Sequence, residues 1–215
     1  MLHAEIGSTL STTLGPVTIG KFLGKGKAGY SYLATTPDGE SVVAKLFHDE
    51  PFSSYDFGDT PKLERELQHY QQLKASGIPL PELLDANPMQ NFIIKEYIDG
   101  PTASEQVIAG DMSLDVIRKV MQIQEKLKPL GINPDFFPSN FVIQGDDVYY
   151  VDYEANFYAD EWNFPNWGIY YWANPEGLRQ YLETDDPLHI NVCESSGKPL
   201  KEPGEAQVEE WLASL

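Results

Sequence analysis

Cysteine occurs once in the 215 residues, at Cys193, which excludes an intramolecular disulfide and leaves no cysteine cluster for zinc. Positive charge is also scarce: 15 Lys and Arg stand against 33 Asp and Glu, for a formal charge of −18 and a pI near 4.4. Such a surface repels nucleic acid and anionic membrane faces, so any bound anion must be held by local positive groups and a divalent cation. The four histidines, His3, His48, His69 and His189, are scattered without metal-ligand spacing. No apolar run approaches the ~20 residues that cross a bilayer. The start, "MLHAEIGSTLSTTLGPV", has neither the basic opening nor the apolar run of a signal peptide. The expectation is therefore a cytoplasmic chain with no nucleic-acid and no membrane partner.

Aromatic residues are plentiful, with ten Phe, twelve Tyr and four Trp, and 41% of the chain is hydrophobic, so disorder is excluded. The length suits one domain or two small lobes. From Val17 to Phe47 the pattern is strand, Gly-rich turn, strand, Pro37-Asp38-Gly39 turn, strand, an antiparallel meander. A polar loop from His48 to Asp59 follows. Thr60 and Pro61 then supply a cap and first position for a helix carrying Leu63, Leu67, Tyr70 and Leu73 at helical spacing up to Gly77.

"ELLDA" and "NFIIKEYI" read as two further strands, and "DGPTASEQ" as a linker, which puts a boundary near Asp99 to Thr102 and gives lobes of 1–100 and 101–215. A helix is expected from about Ser113 to Lys128. The stretch "GINPDFFPSNFVIQGDDVYYVDYEAN" then reads as a loop, the strand "FVIQ", a tight turn and the strand "VYYVD". The aromatic segment with Trp162, Phe164, Trp167, Tyr170, Tyr171 and Trp172 is read as core packing, with the wall of an acceptor pocket as the alternative.

Gly24, Gly26 and Gly29 in "LGKGKAGYSYLA" spell G-x-G-x-x-G. The segment that follows continues as strands, which excludes the dinucleotide-binding fingerprint, since that needs a helix. Lys45 comes sixteen residues after Gly29 in the apolar setting "VVAK". Glu66 lies three residues after Leu63 and four before Tyr70, so its carboxylate points with the apolar face and needs a partner. Glu64 is the rival partner for Lys45, with more polar helical neighbours.

"GKGKAGYSYLA", "VVAK", "LERELQHYQQL", "IIKEYIDG", "DFFPSN" and "VDYE" occur in the order used by the protein-kinase-like superfamily, and the chain resembles a small bacterial-type member of it. "YYVDYE" and a lysine-free catalytic loop are more similar to the aminoglycoside- and choline-kinase branch than to regulated protein kinases. The resemblance implies an α+β, two-lobed protein-kinase-like fold. Its N-lobe would be an antiparallel five-stranded sheet with one main helix, and its C-lobe reduced and mainly helical with a catalytic β-hairpin.

The function implied is ATP- and Mg-dependent transfer of a phosphoryl group to a hydroxyl of a small molecule or a protein Ser/Thr. In that scheme Gly24, Gly26 and Gly29 cover the phosphates, Lys45 contacts them and Glu66 holds Lys45, while Glu96 and Ile98 line the nucleotide hinge. Asp135 orients or deprotonates the acceptor, and Asn140 and Asp152 bind the metal.

Departures stand beside the match: Asn133, Pro134 and Phe137 replace the family's His, Arg and Lys, Glu154 replaces the glycine after the metal-binding Asp, and Lys95 stands just before the hinge. Lys25 and Lys27 are candidates for the missing cation. The alternative reading is a catalytically weak or inactive module that binds nucleotide without turning it over. A structural acidic domain is the third.

Overall fold

The computed structural model describes residues 4–50 and 60–215. Most of the loop expected between His48 and Asp59, from residue 51 on, lies outside the described residues. The chain divides into two compact units: one runs to Tyr70 and adds Pro81–Ile98, the other comprises Gln71–Leu80 and Asp99–Leu215. No helix among the described residues is long and apolar enough to cross a membrane.

In the first unit, β1 (Thr9–Thr12), β2 (Gly15–Lys25), β3 (Gly29–Thr35), β4 (Ser41–Phe47), β5 (Leu83–Asn87) and β6 (Phe92–Glu96) form one antiparallel sheet in the order β1-β2-β3-β4-β6-β5. The helix α1 (Lys62–Ala75) follows β4. Alternation makes the sheet: Val17, Ile19, Tyr30, Tyr32, Ala34, Val42, Ala44, Phe92 and Ile94 point to one buried face. Bulges at Ile19/Phe22 and Phe22/Gly24 bend β2. The sheet curls until its edges approach, where the Thr13 N–H in the β1–β2 turn donates to Asp85 Oδ2 of β5 at 2.9 Å.

The second unit holds α2 (Ala103–Ala109), α3 (Leu114–Leu127), α4 (Ile169–Trp172), α5 (Pro175–Thr184) and α6 (Glu205–Ala213). Two small antiparallel pairs join them: β7 (Ile132–Asn133) with β10 (Asn156–Phe157), and β8 (Phe141–Gln144) with β9 (Asp147–Tyr150). Ile117, Val120, Leu127, Phe136, Phe141, Tyr150, Phe164, Ile169, Trp172 and Leu178 pack as its core. Of the aromatic run, Phe164, Tyr171 and Trp172 are buried, and Phe164–Gly168 forms a π-helical turn.

This architecture corrects the expected two-lobed protein-kinase-like fold. The sheet is six-stranded and nearly closed where five strands were expected, and the second unit adds the pair β7–β10 to the expected hairpin. The extra strand, "TLST", has one apolar residue in four and so carries no hydrophobic period. Thr9 to Thr12 become a strand by pairing with Gly15 to Thr18 across a tight turn. β7 and β10, two residues each, are equally silent in sequence and exist only because the chain returns to pair them.

The expected linker "DGPTASEQ" is another correction, because its second half, from Ala103, is the start of α2. Thr102 accepts from the Glu105 N–H while Glu105 reaches back to the Thr102 N–H, a capping box that starts the helix directly after Gly100-Pro101. Gly100 has a steric reason as well: a Cβ there would overlap the Ile143 carbonyl.

Candidate functional site

Lys45 sits in β4, paired across to Ser31 of β3 and Ile93 of β6. Both faces of β4 are covered, so its side chain is buried (7% exposed) and its ammonium must find a counter-charge. It finds Glu66: Nζ to Oε2 is 2.6 Å, with Glu66 itself buried. α1 puts Leu63, Glu66, Tyr70 and Leu73 on its buried stripe at spacings of three and four, and Glu64 is exposed. The Phe47 ring lies 5.6 Å from the same ammonium.

The glycine hairpin joins β2 to β3, closed by the Gly26 N–H donating to the Gly29 carbonyl at 2.8 Å. Its three glycines are not equivalent. At Gly29 a Cβ would meet the Leu46 carbonyl oxygen at 2.5 Å, so this glycine is demanded by the approach of β4. At Gly24 a Cβ would meet nothing within 4 Å, and at Gly26 only the Gly29 oxygen at 3.7 Å. None of the three has left-handed backbone. The fold therefore gives no reason for glycine at positions 24 and 26.

Lys25, a candidate cation on this hairpin, donates to Glu50 Oε2 at 2.7 Å, and Tyr30 donates to Glu50 Oε1 at 2.5 Å. These two hydrogen bonds pull the Glu50 carboxyl down to about 2. Lys25 is thereby neutralised. At the far end of β6, Glu96 is exposed, its N–H donating to the Glu82 carbonyl (2.8 Å) and its carboxylate accepting from the Glu82 N–H (3.0 Å), while Ile98 is buried. Lys95, on β6, is buried as well.

In the second unit, Asp135, Asn140 and Asp152 come together around the β8–β9 hairpin. The register sets Phe141 opposite Tyr150, and one step outward the Val151 N–H donates to the Asn140 carbonyl at 2.8 Å, which leaves Asp152 adjacent. Asn140 Nδ2 donates to the Asp135 carbonyl at 3.2 Å, so the amide's Oδ1 faces the other way. Asp135 Oδ1 accepts from the Phe137 N–H at 3.1 Å, a local turn that fixes its carboxylate.

Tyr150 is the hub that sequence reasoning missed. Its fully buried hydroxyl accepts from the Asp135 N–H at 3.1 Å and donates to the Glu154 carbonyl at 3.0 Å. Burial first, then the carboxylates of Asp152, Glu154 and Asp135, hold its phenol well above the usual value. The Tyr150 hydroxyl thus ties the main chain at Asp135 to that at Glu154. Tyr171 is raised likewise by burial and then by Asp135, and its ring packs edge-on at 5.3 Å against Phe137, which also meets Tyr181 at 5.8 Å. Phe137 is part of an aromatic cluster, not a substitute for a cation.

Mg²⁺ takes oxygen ligands, and where a protein supplies only one or two it completes its octahedron with phosphates and waters. The Asn140 amide oxygen and the Asp152 carboxylate fit that donor set. No group of three or more His, Cys, Asp or Glu among the described residues is arranged to hold a metal alone. No protein-family model matches this chain, and no curated protein matches it either.

Proposed function

We propose that this chain is an ATP- and Mg-dependent phosphotransferase acting on the hydroxyl of a small molecule or a protein Ser/Thr. Function resides in the site, not in the fold, so the reading rests on side chains and stands apart from the corrected architecture. The observation that carries it is the buried Lys45–Glu66 pair in a sheet whose hairpin keeps two glycines the fold does not require. A transferring phosphoryl group asks for positioning and charge neutralisation more than covalent chemistry. Lys45, held by Glu66, supplies a fixed cation for the phosphates, and Gly24 and Gly26 let main chain approach them.

Glu96 and Ile98 border the base of the nucleotide. Asn140 and Asp152 would hold Mg²⁺, which offsets charge on the phosphates when bound. Asp135, oriented by its turn and by Tyr150, accepts the proton of the attacking hydroxyl. The reading takes a cytoplasmic chain whose partners are a nucleotide and a hydroxyl acceptor, and at a charge of −18 the nucleotide has to be held by local positive groups and a divalent cation.

A second reading is a module that binds nucleotide without turnover. Phe137 packed among aromatics and Lys25 neutralised by Glu50 favour it, since both withhold a cation from the developing charge.

The test is a thermal shift with Mg–ATP. At about 100 times Kd, linkage supplies roughly 2.7 kcal/mol, on the order of 5 to 10 °C at this length. Asp152→Ala removes the shift, whereas Asp135→Ala keeps it and abolishes transfer. A wild type that shows the shift but transfers nothing leaves the binding module as the answer, an Asp135→Ala variant that transfers like an active wild type removes Asp135 from the mechanism, and no shift at millimolar nucleotide overturns both readings.

A further inference from the structure

Main-chain carbonyls of the hairpin tip are gripped by residues at the end of β4 and the start of α1. His48 Nε2 lies 3.3 Å from the Gly26 carbonyl, the His48 N–H donates to the Ala28 carbonyl at 3.0 Å, and Lys62 Nζ lies 3.4 Å from the Lys27 carbonyl between them. Three successive carbonyls are therefore drawn toward the end of β4 and the start of α1.

The latch is itself braced. The Glu50 N–H donates to His48 Nδ1 at 3.2 Å, which makes Nδ1 the acceptor and leaves the ring proton on Nε2, facing Gly26. The imidazole is buried and its centroid lies 4.8 Å from that of Tyr30. Lys62 also binds the carbonyls of His48 (2.7 Å) and Glu50 (3.4 Å), so one ammonium spans the hairpin tip and the segment after β4.

In a trans peptide the carbonyl of one residue and the N–H of the next point in opposite directions, and no peptide here is cis. Holding the Gly26 and Lys27 carbonyls on the latch side turns the N–H groups of Lys27 and Ala28 to the other. Two successive amides aimed one way are an anion-binding arrangement. We propose that His48 and Lys62 are positioning residues that preset the hairpin tip, so that the Lys27 and Ala28 amides meet the nucleotide phosphates already oriented. The inference rests on the phosphotransferase reading and deepens it. A flexible glycine hairpin would otherwise lose binding free energy on ordering, and the latch offsets that loss before the ligand arrives.

The experiment uses the full chain and two readouts: Kd for Mg–ATP by calorimetry, and amide exchange of residues 24–30 without nucleotide. His48→Leu and Lys62→Ala are expected to weaken Mg–ATP by roughly five- to tenfold and to speed exchange at the tip. His48→Gln keeps a donor at the Nε2 position and Lys62→Arg keeps the cation, so both should stay within about twofold of wild type. Unchanged Mg–ATP affinity in His48→Leu and Lys62→Ala overturns the inference alone, as does equal loss in the conservative and disruptive variants. A wild-type chain that ignores Mg–ATP overturns the phosphotransferase reading and this inference with it, and the exchange data then report only a structural latch.

Discussion

Burial decides the behaviour of Lys45 and Glu66. Both are desolvated, and the 2.6 Å ion pair between them offsets that cost. Lys45→Met removes the cation 2.6 Å from a buried carboxylate and should lower unfolding free energy by about 3 to 5 kcal/mol, measured by denaturant titration. Adding Glu66→Leu should restore most of that stability without restoring any response to Mg–ATP, because the charge problem is removed but the phosphate contact is not. Recovery of the nucleotide response in the double variant would contradict the role given to Lys45. Glu50 makes a pH prediction. Its folded value, about 2, lies below the ordinary 4.5 because Lys25 and Tyr30 donate to it. The stabilisation is therefore complete above about 4.5 and disappears as pH falls toward 2. The melting temperature of the wild type should fall more steeply across that window than that of Glu50→Gln, and parallel curves would remove Glu50 from the account. The Lys45–Glu66 pairing was legible in the sequence because an acidic residue at an apolar helical position demands a partner. The roles of His48 and Lys62 were not, since their partners are main-chain carbonyls that every residue possesses.

Among the elements, the glycine hairpin separates fold from function most sharply. Gly29→Ala drives a methyl into the Leu46 carbonyl and should cost roughly 2 kcal/mol or more. Gly24→Ala meets open space and Gly26→Ala only an ordinary contact, so their stability should stay within about 0.5 kcal/mol of wild type while Mg–ATP affinity falls. Equal destabilisation of all three, or unchanged affinity in Gly24→Ala and Gly26→Ala, would show that the G-x-G-x-x-G spacing is a strand-packing motif only. β2, β3, β4, β6 and α3 were legible from their alternation or helical period. α2 was hidden because Gly-Pro punctuation and a Thr-x-x-Glu capping box share "DGPTASEQ", and the turn signal masks the helix signal. β1, β7 and β10 are too short or too polar to carry a period.

For the whole molecule the dominant sequence-level quantity is charge. At −18 the chain repels itself, and the native state, being compact, suffers more than the unfolded one. Screening should therefore raise the melting temperature, by a few degrees between ~0.01 and 0.15 M salt as the Debye length shrinks from about 30 to 8 Å. A flat or falling salt dependence would mean that local ion pairs such as Lys25–Glu50, which salt weakens, outweigh the global repulsion.

The sequence by itself determined the acidity, the hairpin, the buried Lys45 strand and the carboxylate that answers it, because each is a local pattern of period or spacing. It also placed Asn140 and Asp152 at adjacent ends of one hairpin, since antiparallel register follows from a tight turn. Only the tertiary structure decided that the first sheet has six strands and curls until Thr13 reaches Asp85. It alone made the buried Tyr150 hydroxyl the link between the main chain at Asp135 and at Glu154, and made His48 and Lys62 the grip on the hairpin tip. Those outcomes depend on contacts between residues far apart in the chain, and on which main-chain groups such contacts leave to be satisfied. Neither quantity is written in local spacing.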